Sequence, residues 1–202
     1  MKAGFVDIHT HRPTGQAIEL RTAGIHPWDA ERAGSEALAA LERDLQDPAV
    51  QAVGEIGLDF ASKADPEAQR RLFRAQLELA VRAGLPAVLH CVRAFEETMR
   101  LLREREPRAV IFHGFIGSPE QARRAVERGY CLSFGERSLA SPRTVEALRS
   151  TPLAHLFFET DESPVPIEEI YRRASGATGI GIDCLKRATT ENYRRIFCEH
   201  NG

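Results

Sequence analysis

Residues 6–11 read Val-Asp-Ile-His-Thr-His. Asp7, His9 and His11 alternate along a stretch with the composition of a short strand, and alternating residues of a strand share one face. A carboxylate and two imidazoles side by side are groups that bind a borderline divalent cation. Similar groups recur wherever a strand candidate ends. A second candidate runs into Gly24-Ile25-His26-Pro27-Trp28-Asp29 and a third into Gly54-Glu55-Ile56-Gly57-Leu58-Asp59. A fourth ends at His90, a fifth at His113, and the last in Glu159-Thr160-Asp161. Five of the seven histidines therefore sit at or just past the C-terminal end of a strand; His155 and His200 do not.

Six of these groups form a candidate metal set: His9, His11, Glu55, His90, His113 and Asp161. Six donors exceed one tetrahedral ion and suit two ions bridged by a carboxylate and a water or hydroxide. Zn²⁺ leads, with Mn²⁺, Mg²⁺, Fe²⁺ and Ni²⁺ as alternatives. Such a site acidifies a water and clamps both oxygens of a displacement, so the chemistry implied is hydrolysis. Taken singly, each residue has a plainer role. A histidine can cap a strand, Glu55 can bond backbone amides, Gly54 and Gly57 can mark a tight turn, and Asp161 can cap a segment starting near Pro164. Asp7 reads best as a residue that orients a ligand histidine. The agreement of so many strand ends favours the metal.

The elements that must position these groups alternate. Strand candidates are 4–9, 18–25, 51–57, 86–90, 109–113, 130–134 and 155–159. The stretch 66–83 carries Leu72, Phe73, Leu77, Ala80 and Val81 at helical period. Asp65 is placed to cap it, Pro66 to open it and Gly84 to close it. Ser118-Pro119-Glu120-Gln121 reads as a capping box for a helix over 118–128 ending at Gly129. Residues 35–46, 94–105, 142–149, 165–175 and 182–198 also read as helical. Strands alternating with helices predict an α/β fold with a parallel sheet and right-handed crossovers. In such folds the C-terminal strand ends make one rim, and that rim carries the active site. Seven strands are one short of the standard eight-stranded barrel.

The gross composition agrees with one globular domain over residues 1–202. The chain is 43% hydrophobic and 28% charged with a formal net charge of −2, so no global basic field holds nucleic acid. Three lysines stand against a majority of arginines. The four cysteines, Cys91, Cys131, Cys184 and Cys198, form no close pair, which fits a reducing compartment. No apolar run approaches the roughly 18 residues of a membrane span, and the start does not read as a signal peptide. The expectation is a soluble, cytoplasmic protein.

With these blocks in view, the chain resembles the TatD family of metal-dependent deoxyribonucleases in the amidohydrolase superfamily. The matching stretches are VDIHTH, GIHPWDA, VGEIGLDF, LPAVLHCVRAF, VIFHGFIGS, LFFETDESP and the tail ATTENYRRIF. The resemblance implies a distorted TIM-type barrel. It implies metal ligands His9, His11, Glu55, His90, His113 and Asp161, with Glu55 bridging. It makes Asp161 the general base and His26 a contact to the scissile phosphate, with Glu159 in support. Only twelve residues separate His11 from Gly24, where the family places a helix, a strand and another helix, so one βα unit is expected to be missing. The family's His-x-Arg reads His90-Cys91-Val92-Arg93 here, one residue longer, and Ile8 stands where the family has a small residue.

The function expected is a metal-dependent phosphodiesterase acting on DNA, from a 3′ end. Arg12, Arg93 and Arg137 are candidate phosphate contacts, and Trp28 could stack on a base. The alternative is a hydrolase of the same superfamily acting on a small phosphoester, a lactone or a cyclic amide. A third reading is a metal-binding scaffold without catalysis. Cys91 should face away from His90 toward a helix and takes no catalytic role. Asn192 should satisfy backbone groups.

Overall fold

The computed structural model describes residues 4–198, and His200 lies outside them. Its strands are β1 (Val6–Asp7), β2 (Ile18–Glu19), β3 (Thr22–Ala23), β4 (Ala52–Asp59), β5 (Ala87–Val92), β6 (Val110–Phe112), β7 (Cys131–Phe134) and β8 (Leu156–Phe158). Its helices are α1 (Ser35–Asp44), α2 (Pro66–Ala83), α3 (Phe95–Glu104), α4 (Pro119–Glu127), α5 (Glu136–Leu139), α6 (Pro142–Ser150), α7 (Ile167–Thr178) and α8 (Ile182–Tyr193). The chain divides into two compact units, one of Met1–Leu20 with His113–Gly202 and one of Arg21–Phe112.

The Arg21–Phe112 unit is a parallel sheet in the order β3, β4, β5, β6. Val53, Ile56, Leu58, Val88, Leu89 and Ile111 are fully buried. Glycine decides how closely β4 and β5 approach. A Cβ on Gly57 would lie 2.0 Å from the His90 carbonyl oxygen, and one on Gly54 would lie 2.7 Å from Val88 Cβ. Gly57 also has φ +140°, which a side chain disfavours. Helix α2 starts where Asp65 accepts the Ala68 N–H at 2.6 Å and ends at Gly84 with φ +64°. Cap, proline and glycine all sit where the sequence reading places them.

In the other unit β1 pairs with β2, and β7 with β8, both in parallel. Past its two ladder residues, β1 continues along β8. Ile8 N–H donates to Phe158 O, Asp161 N–H to His9 O, and His11 N–H to Asp161 O, each at 3.0 Å. On another side of β1, Val6 N–H donates to the Tyr171 hydroxyl at 3.1 Å, and that hydroxyl bonds Val6 O and Thr189. A tyrosine from α7 thus satisfies backbone groups of a short strand. The Ser118–Gln121 capping box opens α4, with Gln121 N–H on Ser118 Oγ and Ser118 N–H on Gln121 Oε1. Asn192 donates to Leu153 O and Leu156 O, the backbone role expected of it.

Four elements depart instructively from the sequence reading. The strand expected over 18–25 is two short strands; β2 pairs with β1 in one unit and β3 with β4 in the other. The third strand extends through Asp59, so Glu55 lies inside β4 rather than at its end. Helix α5 was not foreseen, because one turn of four residues carries no measurable period. The terminal helix expected over 182–198 ends at Tyr193 and continues as a wider π-type turn, Arg194–Cys198.

Candidate metal centres

In the Arg21–Phe112 unit, β4 and β5 bring Glu55 and His90 together, and the short 3₁₀ turn Pro27–Asp29 brings His26 beside them. The ligand-capable atoms of His26, Glu55 and His90 lie within 4.8 Å of one another. His90 Nδ1 is 3.0 Å from Glu55 Oε2, and His26 Nε2 is 3.5 Å from the same oxygen.

The second nitrogen of each ring states its job. His26 Nδ1 accepts the backbone N–H of Trp28 at 3.3 Å, so the neutral ring carries its proton on Nε2. That makes His26 Nε2 a donor pointed at the site rather than a lone pair for a cation. His90 Nε2 lies 3.3 Å from Asp59 Oδ2. A carboxylate there takes the Nε2–H and leaves the Nδ1 lone pair facing Glu55. Two acceptors 3.0 Å apart need a cation or a proton between them, so this donor set fits a metal ion.

Asp59 is the residue the sequence reading passed over. It is 4% exposed. It accepts the Trp28 indole N–H at 2.7 Å and the N–H groups of Ala61 and Ser62. Burial alone would raise its carboxyl, but these donors and His90 hold it below the usual range. A signal was present: Glu55 and Asp59 are four residues apart on one strand and so share its face.

The other unit gathers His9, His11, His113, Glu159 and Asp161. His9, His11 and Asp161 offer ligand atoms within 4.8 Å of one another, as do His113, Glu159 and Asp161. The backbone bonds between β1 and the residues after β8 set this register, since they place Asp161 beside His9 and His11. Asp161 Oδ1 is 3.7 Å from His9 Nε2 and 3.5 Å from His11 Nε2. Asp161 adopts φ +54°, uncommon for a residue with a side chain.

Glu159 is fully buried, with Oε1 3.3 Å from His113 Nδ1. Burial alone would push its carboxyl up, but His113 and His9 overcome that and hold it below the usual range. An ionised carboxylate on Nδ1 leaves His113 Nε2 as the presented lone pair. The Asp7 carboxylate accepts from the Thr160 N–H at 2.9 Å and the Thr160 hydroxyl at 2.6 Å. Asp7 therefore steadies the segment that carries Asp161, where the sequence reading gave it a histidine to orient. Burial pushes its carboxyl up to about 6, against the pull of the two Thr160 bonds.

The remaining candidates are placed as follows. Trp28 is 61% exposed and packs edge-on against His26, ring centroids 4.6 Å apart. Arg93 is exposed just past β5 with φ +52°. Arg12 and Arg137 are also exposed. Cys91 faces α3, its Sγ 3.5 Å from Thr98 Oγ1, and burial pushes its thiol up to about 11. His155 bonds the Tyr130 carbonyl at 2.9 Å, a structural role.

A family model described as TatD related DNase matches residues 16–198. The 3′-5′ ssDNA/RNA exonuclease TatD of Edwardsiella piscicida is 45% identical over 206 residues, covering 87% of this chain and 76% of that protein. An uncharacterized metal-dependent hydrolase of Escherichia coli K12, YjjV, is 40% identical over 151 residues, covering 71% of this chain and 58% of that protein. The crystal structure of the E. coli K12 YJJV, a TATD homolog, matches with TM-score 0.81 at 30% identity over 89% of this chain and 76% of that one. A TatD family hydrolase from Entamoeba histolytica matches with TM-score 0.78 at 20% identity, covering 91% of this chain and 76% of that one, a likeness of fold. The chain thus spans between 58% and 76% of the length of these relatives.

Proposed function

The chain belongs to the TatD-related DNase family, and from that premise we propose that it is a metal-dependent phosphodiesterase that removes nucleotides from the 3′ end of single-stranded DNA. The observation that carries this reading is a repeated device. Each unit presents an imidazole whose far nitrogen is held by a buried, ionised carboxylate: Asp59 on His90, and Glu159 on His113. Proteins hold ligand histidines in this way.

In this reading His9, His11, Glu55, His90, His113 and Asp161 hold two divalent ions, zinc first, within one hydrolase domain. When bound, such ions supply an acidified water and neutralise the phosphodiester. The chain's own groups do the rest. Asp161 takes the proton of the attacking water. His26 donates Nε2–H to a phosphate oxygen, its tautomer fixed by the Trp28 backbone. Asp7, through Thr160, keeps the Asp161 carboxylate in place. Arg93 is offered as a further phosphate contact from its exposed position past β5. The described cysteines are all free thiols, which supports a cytoplasmic location, and no helix among the described residues is long and apolar enough to cross a membrane.

The test is to supply the protein with Zn²⁺ or Mn²⁺ and follow a 5′-labelled single-stranded oligonucleotide. Stepwise shortening from the 3′ end is expected, and Asp161→Asn should abolish it. An intact oligonucleotide beside rapid hydrolysis of a small phosphoester, lactone or cyclic amide would replace this reading with the small-substrate one.

A further inference from the structure

Trp28 is the chain's one tryptophan and its most exposed large apolar side chain among the described residues. It is exposed yet held. Its indole N–H is taken by Asp59 at 2.7 Å, and its ring meets the His26 ring nearly perpendicularly, centroids 4.6 Å apart. With its polar edge already satisfied, what it offers solvent is apolar aromatic surface. The side chain borders an open cleft of about 530 Å³ lined by Trp28, Asp59, Ala61, Ser62, Lys63 and Ala64. A volume of this order holds a small ligand.

The cleft wall is stiff. Fully buried Gln69 accepts the Asp59 N–H at 2.7 Å and donates to Asp59 O, Ser62 Oγ and Ala64 O. One side chain thus fixes the whole 59–64 turn, and a preformed wall lowers the ordering cost of binding. Ala61 and Ala64 give the wall small side chains, and Lys63 supplies its one cation. Asp59, which ties the wall to Trp28, also touches His90.

We propose that this cleft is a nucleobase subsite, in which the Trp28 face stacks on one base of a single strand while Lys63 meets its phosphate or the polar edge of the base. The subsite rests on the phosphodiesterase reading for its setting, and its test stands apart from that reading. A stacked base has a face of this kind whatever its identity, so binding should tolerate any sequence.

Because Trp28 is the sole tryptophan, its fluorescence reports the subsite directly. Zinc-loaded protein is mixed by stopped flow with a short oligothymidylate, and separately with the same strand abasic at its 3′ end. A saturable change with the first, weakened about 5- to 100-fold with the second, is expected from the loss of one stacked base. An equal response to both, or none, overturns the subsite even if the strand is then hydrolysed. A base-dependent response without hydrolysis keeps the subsite and overturns the phosphodiesterase reading. As a second measurement, Trp28→Ala should raise KM for the oligonucleotide about 5- to 100-fold and erase the preference for a base-bearing end, while Trp28→Phe restores most of both. Retained preference in Trp28→Ala would also overturn the proposal.

Discussion

Asp59 Oδ2 lies 2.7 Å from the Trp28 indole nitrogen and 3.3 Å from His90 Nε2. One carboxylate oxygen therefore joins an exposed aromatic side chain to an imidazole that reads as a metal ligand. Asp59→Asn removes the charge on His90 while keeping an oxygen for the Ala61 and Ser62 N–H groups. Orienting carboxylates of this kind are worth about 10- to 100-fold in metal affinity. A competition titration with a zinc chelator should show a loss of that size. Unchanged affinity would mean that His90 is not a ligand held from behind.

Metal should also act as a stabiliser. A ligand that binds only the folded chain adds about 2.7 kcal/mol at a hundred times its dissociation constant. Thermal unfolding with Zn²⁺ or Mn²⁺ should therefore rise by several degrees and return with chelator. Glu159→Gln, which leaves His113 without its anionic partner, should reduce that gain. A melting temperature indifferent to both metal and chelator would remove the basis for the donor sets.

Gly57 tests the packing behind the site. Alanine there would put a Cβ 2.0 Å from the His90 carbonyl oxygen at φ +140°. Neither strand can move without breaking the ladder that pairs Gly57 with His90. Gly57→Ala should cost about 4 kcal/mol or more in chemical denaturation. Gly176, inside α7 with open space around it, is the control: Gly176→Ala should gain about 0.5–1 kcal/mol.

The pH dependence of stability can be read from Glu97. It bonds Arg100 and Arg70, and these pairs, Arg100 first, hold its carboxyl down to about 2 against the 4.5 of a free glutamate. A depressed carboxylate contributes stability above its unfolded pKa and loses it as pH falls through the folded value. The difference between wild type and Glu97→Gln should therefore be present at neutral pH and vanish between about 4.5 and 2. Because the arginines are partly exposed, about 1 kcal/mol is the size expected. A gap that persists at pH 2 would assign the effect to packing.

Much of this molecule is legible from local chemistry. Asp65, Pro66 and Gly84 bound α2 because capping, a missing N–H and a left-handed backbone are properties of single residues. The box at Ser118 and Gln121 is read for the same reason. The metal-binding residue types at strand ends are legible because a strand of known direction presents its end residues to a known side. What local pattern could not decide was the partner of each polar atom. Asp7 met Thr160 rather than a histidine, since the bonds between β1 and the chain after β8 brought that residue to it. The stretch 18–25 broke in two because its halves found different neighbours. Asp59 gained its role only where β4 ran on beside β5 and His90. Residue type and spacing named the donors; tertiary structure chose which nitrogen each imidazole presents, because that depends on what lies behind the ring and not on the ring itself.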